Sequence, residues 1–196
     1  MKKGWIIGGV VLLVVFILYR LFAGSYNNLV EKEEAVTKQW AQVENYYQRR
    51  ADLIPNLVNT VKGYADFEKS TLEAVINARS KATGITVDPT NLTPDKIQQF
   101  QQAQDQLSGA LSRLLVTVEK YPELKANQNF LELQAQLEGT ENRISVERGK
   151  FNEMVEAFNV YLRKFPTNII AGMFGFEKKG YFQAAAGSEK APEVKF

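Results

Sequence analysis

At 196 residues the chain is long enough for one domain with accessories and a core of real size. Lys and Arg number 24 against 22 Asp and Glu, so there is no basic footprint of the kind nucleic acid requires. With no Cys and no His, the chain cannot build Cys–His or Ser–His–Asp nucleophile systems, Cys/His zinc sites or Glu-x-x-His di-iron sites, and no catalytic residue, cofactor or metal is expected.

Residues 1–3 are a short basic tail, and residues 4–23 read as a transmembrane helix. From Trp5 to Ala23 the only charge is Arg20, about the ~20 apolar residues a spanning helix needs. Trp5 and Tyr19 suit the two aromatic belts, and Arg20 can snorkel to the interface, so these three residues are the expected anchor points. A cleaved signal peptide is the rival reading, with Ala23-Gly24-Ser25 as its small-residue site. Arg20 and the bulky Leu21-Phe22 fit poorly beside such a site, so a retained, single-pass anchor is expected. Lys2 and Lys3 oppose Arg20, Lys32 and Lys38 in the positive-inside balance, which leaves the side of the soluble part open.

Residues 24–166 carry heptad rows like those of a coiled coil. On the first segment one row is Leu29, Val36, Val43, Arg50, Leu57 and Tyr64, and the other is Glu33, Trp40, Tyr47, Ile54 and Val61. The seven-residue phase crosses Pro55 without an insertion and no turn cluster flanks it, which predicts one long, kinked helix reaching about Ala82. Thr83 to Leu92 is a loop by composition. Thr93-Pro94-Asp95 starts the next helix, and Ile97, Phe100, Gln104, Leu107, Leu111, Leu114, Val118 and Tyr121 repeat in strict 3-4 alternation up to Pro122. Asn127 or Asn129 then caps a third long helix with Phe130, Leu137, Ile144, Phe151, Phe158 and Phe165 seven apart. The fold class is all-α: an N-terminal transmembrane helix continuing into an antiparallel up-and-down bundle of three to four long helices.

A first helix straight to Ala82 would outrun its partners. Part of the stripe Leu29, Val36, Trp40, Val43 and Tyr47 would then lack cover within the chain, which predicts that it packs against other copies to make a homo-oligomer. Residues 167–196 hold aromatics without helical period and a small-residue tail ending Val194-Lys195-Phe196; they are expected to dock on the bundle or on a partner.

Few motifs carry chemistry. Glu31-Lys-Glu-Glu34 reads as a solvated helix face rather than a cation site, and Gly172-Met-Phe-Gly175 lacks the preceding strand a phosphate cradle needs. Thr140 and Glu141 interrupt the apolar row of the third helix and Arg50 that of the first, which predicts a structural ion pair, Arg50 with Glu141, fixing helix register; a ligand or partner site in the bundle is the sharper alternative. Gly63, Gly139 and Gly149 inside helices suggest close helix approach.

Several stretches read together: Lys3-Gly-Trp-Ile-Ile7, Gln48-Arg-Arg-Ala-Asp-Leu-Ile-Pro-Asn-Leu57, Val61-Lys-Gly-Tyr-Ala65, Tyr121-Pro-Glu-Leu-Lys-Ala-Asn127, Leu137-Glu-Gly-Thr-Glu-Asn-Arg-Ile144, Phe165-Pro-Thr-Asn168 and Phe174-Gly-Phe176. In this colinear order, over nearly the whole chain, the sequence resembles the LemA family of bacterial membrane-anchored helical proteins. The resemblance implies a single N-terminal membrane helix in the bacterial cytoplasmic (inner) membrane, an all-α bundle and no established catalytic activity. The expected function is a membrane-anchored scaffold whose partners are the lipid bilayer, further copies of itself and an unidentified membrane or envelope protein. A lipid- or envelope-facing module using the aromatic C-terminal segment is the alternative, and a carboxylate-only hydrolase the remote one.

Overall fold

The apolar run and the first heptad rows form one unbroken helix, α1 (Lys2–Lys62), in a computed structural model that describes residues 2–64 and 67–184. Met1 of the basic tail and the segment 185–196, including Val194-Lys195-Phe196, lie outside the described residues. At 61 residues α1 is about 92 Å long. Its character changes along its length: the large apolar residues from Trp5 to Leu21 are exposed, whereas Leu29, Val36, Trp40 and Val43 are wholly buried.

Pro55 lies inside α1 and does not end it. A helical proline withholds the N–H that would bond to the carbonyl four residues back, here Ala51. That carbonyl accepts instead from Nε of Arg79 at 2.8 Å, so a side chain from the next helix repairs the gap. The reversal comes later, after Lys62, and α2 (Lys69–Gly84) returns along α1. This corrects the expectation of one helix to Ala82. The apolar phase runs on through the turn because α2 faces the same core, with Leu72, Val75, Ala78 and Ala82 buried.

Residues 85–93 continue toward the membrane-proximal end, where Thr37 donates to the Pro89 carbonyl at 3.3 Å. α3 (Pro94–Val118) then runs parallel to α1, and the short α4 (Pro122–Lys125) turns the chain into α5 (Gln128–Arg163). The Asn127 side chain caps α5 by accepting from the Phe130 N–H at 3.1 Å. Antiparallel to α1, α5 is about 54 Å long and matches the roughly 51 Å from Leu29 to Lys62. Four long helices thus form the expected all-α bundle: α5 packs closely along α1, and α2 along α3.

The matched lengths remove the free stalk. Leu29, Val36, Trp40 and Val43 have no exposed surface and Tyr47 has 5%. The proposed oligomer stripe is therefore the inner face of the bundle, and its cover comes from α5, α3 and the C-terminal segment. The glycine expectation also changes. A Cβ on Gly139 or Gly149 would meet nothing within 4 Å, and Gly63 lies not inside a helix but in the turn just past α1, where one would meet only the Thr60 carbonyl at 3.4 Å, so none marks a close helix approach.

After α5 the chain forms α6 (Thr167–Phe174) beside the lower end of α1, and then an extended strap, residues 176–184, climbs back between α3 and α5. Phe165, last in its heptad row, falls beyond the end of α5 and is 81% exposed.

Candidate functional site

Two polar constellations interrupt the apolar interior, and they divide it. Below Arg50, toward the membrane segment, the core holds Trp40, Phe100, Phe151, Phe158 and Phe182; above it lie Leu57, Val61, Leu107, Leu114, Phe130 and Leu137.

Arg50 is the dividing layer. It is 1% exposed, and its guanidinium reaches from α1 to both α3 and α5. Nη1 donates to Glu141 Oε2 at 2.6 Å and to Ser108 Oγ at 2.7 Å; Nη2 donates to Gln104 Oε1 at 2.7 Å and to the Gln104 carbonyl at 3.2 Å. Gln104 uses its amide N–H to hold the carbonyl of Ala82 at 3.2 Å, which brings in α2. The structure thus brings Arg50 and Glu141 together, with a buried cation against a carboxylate that is 52% exposed. Beside them, Tyr47 lies under the guanidinium at 5.1 Å, and burial pushes its phenol up to about 12 against the opposing pull of Arg148 and Arg50.

Two clefts open at this layer. One, of about 300 Å³, lies between α1 and the end of α2 and includes Glu44, Tyr47, Thr86, Phe100 and Gln104. The other, of about 250 Å³, lies between α3 and α5 and is lined by Leu57, Leu111, Leu115, Leu137, Glu138 and Glu141. Glu141 is engaged by Arg50, and four leucines line the cleft.

The second constellation holds the strap. The Asn159 amide pairs with both backbone groups of Lys179, at 3.0 and 2.9 Å, and Asn152 does the same for Phe182, at 2.9 and 2.9 Å. Gln101 of α3 repeats the pairing at Gln183, at 2.9 and 2.9 Å, and Arg148 donates to the same carbonyl at 2.9 Å. The spacings match. Three extended residues cover about 10 Å, and the seven helical residues from Asn152 to Asn159 cover about 10.5 Å. These amides grip main chain, and the side chain between them carries the apolar contact: Phe182 is 5% exposed, stacked on Trp40 at 6.0 Å and edge-on to Phe151 at 5.4 Å. Arg148 lies over its outer face at 4.8 Å. Lys179, also buried, extends its ammonium to Glu33 at 2.5 Å. Gly180 donates its N–H to the Leu92 carbonyl at 2.8 Å, and a Cβ there would stand 2.7 Å from the Pro94 Cα, so only glycine fits.

Sequence reasoning expected these C-terminal aromatics to dock and did not find the residues that hold them. The signal was present: Asn152 and Asn159 follow Phe151 and Phe158 directly, an amide pair in heptad phase at the edge of the apolar stripe. Trp5, Tyr19 and Arg20 stand exposed on the lower part of α1, at the two ends of its apolar run. That run makes α1 a candidate membrane anchor, and α1 is the helix among the described residues long and apolar enough to cross a membrane.

Comparison with known proteins places the same bundle in a family. The sequence profile of the LemA family matches residues 39–196. Protein LemA of Metamycoplasma hominis is 26% identical over 174 residues, covering 89% of this chain and 76% of its own length. Magnetosome protein MamQ 2 of Paramagnetospirillum magneticum is 25% identical over 177 residues, covering 81% of this chain; the chain spans 64% of that relative's length. Magnetosome protein MamQ of Magnetospirillum gryphiswaldense is 26% identical over 189 residues, covering 87% of this chain and 68% of its own length.

Proposed function

For this chain, which belongs to the LemA family, we propose the role of a membrane-anchored helical scaffold: a bundle held on the cytoplasmic (inner) membrane to assemble with further copies and with an envelope or membrane partner, without catalysis of its own. The observation that carries the reading is the continuity of α1. One helix supplies both the apolar segment and the central stripe of the bundle core, so the soluble part cannot swing free of its anchor as it would on a flexible linker. A bundle fixed in this way presents its sides at a set height and angle, and confinement to one membrane raises the effective concentration of copies.

Because the Leu29–Tyr47 stripe is internal, association has to use another surface. Gly4 and Gly8 lie one turn apart on the exposed apolar segment, and a Cβ on either would meet nothing within 4 Å. Small residues at that spacing let two membrane helices approach closely. The cysteine-free chain gives a clean test. Gly8→Cys in membranes under mild oxidation should yield disulfide-linked dimers, whereas Val10→Cys, on the opposite side of the helix, should not. Equal cross-linking at both positions, or none at Gly8→Cys, counts against assembly through this face.

A further inference from the structure

The membrane-proximal end of the bundle carries a second apolar surface. α6 is two-faced: Thr167, Ile170 and Ala171 are buried against the bundle, while Ile169, Met173 and Phe174 are 54%, 66% and 51% exposed. Phe165, just before it, is 81% exposed. Large apolar side chains clustered in this way on so short a segment call for a cover.

Its position identifies the cover. Phe174 packs on Phe22 at 5.9 Å and on Tyr26 at 4.7 Å, and Phe176 on Tyr26 at 5.9 Å. Phe22 is the last large residue of the apolar run from Trp5 to Ala23, so α6 sits at the height where that run emerges from hydrocarbon. The charges agree. Arg20, Arg163 and Lys164 are exposed around this end, no acid occurs between Glu156 and Glu177, and the first acid of α1 is Glu31. Apolar and aromatic residues preceded by Arg163 and Lys164 and followed by Glu177 and Lys178, with Arg20 on the adjoining helix, carry an excess of cations that matches the boundary between acyl chains and anionic headgroups.

We infer that α6, with Phe165, is an interfacial membrane helix: its exposed face lies in the headgroup layer of the bilayer that α1 crosses, giving the bundle a second point of attachment and fixing its tilt. This rests on the anchor reading of α1, and the test separates the two. Single cysteines replace Ile169, Met173, Phe16 in the middle of the apolar segment, and Val116 on the far half of α3, each in the full chain. Each is labelled with a polarity-sensitive dye in vesicles of phosphatidylethanolamine and phosphatidylglycerol. Labels at Ile169→Cys and Met173→Cys should be quenched several-fold more strongly by lipids bearing a shallow nitroxide than the Val116→Cys label, and shielded from aqueous iodide. Iodide access equal to that at Val116→Cys overturns the inference, as does shielding from both quenchers, which would mean a protein cover such as a second copy. If the Phe16→Cys label also escapes lipid-borne quenchers, the anchor reading itself fails; if it alone is quenched, only the interfacial role of α6 fails.

Discussion

The two halves of the bundle use the same four helices and solve the packing problem differently. Near the membrane segment the space between α3 and α5 is filled by the chain's own strap, with Phe182 set among Trp40, Phe100 and Phe151. In the far half no strap of described residues enters: Leu111 and Leu137 are buried with Leu57, Phe130 and Leu124 of α4, and a cleft between α3 and α5 lies beside them. Arg50 and its ligands mark the boundary. The lesson is that the same four helices close one half around an inserted strap and the other with the side chains of the helices themselves.

Removing the filler should have the largest effect on this contrast. Phe182→Ala should cost about 3–5 kcal/mol, because a ring in a closed aromatic cluster leaves a cavity. Chemical denaturation read by Trp40 fluorescence measures this, and hydrogen exchange should rise in the near half with the far half little changed. A uniform rise in exchange would mean that the two halves are one cooperative unit.

The boundary layer gives the next test. Glu141→Ala leaves a buried cation short of its carboxylate and should cost about 1–3 kcal/mol, whereas Arg50→Leu removes the cation and lets the half-exposed Glu141 turn to water, costing less. Adding Glu141→Ala to Arg50→Leu should then cost almost nothing further, which a double-mutant cycle reads directly. Additive losses would show that the 2.6 Å pair does not couple the halves.

Gly180→Ala sharpens the strap's role at similar scale. Its methyl would press on Pro94, so a loss of about 1–3 kcal/mol in melting experiments is expected, since overpacking against backbone cannot relax cheaply. In contrast, Gly139→Ala and Gly149→Ala face open space within helix α5 and should stabilise the protein by about 0.5–1 kcal/mol each.

The smallest effect is with pH. The hydrogen bond from Lys150, at 2.8 Å, and then that from Gln39, at 2.6 Å, hold the Glu147 carboxyl below its usual range. Its folded pKa is thus depressed, so its contribution is full above the unfolded value, about 4.3, and is lost as pH falls through the folded one. Thermal melting between pH 6 and 3 should show a shallower decline in Glu147→Gln than in the parent; identical slopes would remove Glu147 as a source.

Much of this was legible in the residues, for a physical reason. Heptad rows report helix faces, so Phe151, Phe158 and Leu107 announced the core, and two polar breaks in facing rows announced Arg50 with Glu141. The turn after Lys62 was not legible, because α2 keeps the same apolar phase and so hides a reversal. Nor was the repair at Pro55: Arg79 and Ala51 are 28 positions apart and no pattern links them. Phe165 kept heptad phase in sequence while Pro166 ended the helix register in space. The stripe at Trp40 was read correctly as needing cover; that the cover comes from the same chain depended on the turn.

A retained anchor that gathers copies into an assembly can be seen by native mass spectrometry of the full chain extracted from membranes in mild detergent. Subunits of 22.2 kDa, with residues 1–23 present, are expected in particles of two or more copies, at whole multiples of that mass. Particles of a single copy, or subunits beginning near Ser25 or Tyr26, would contradict it.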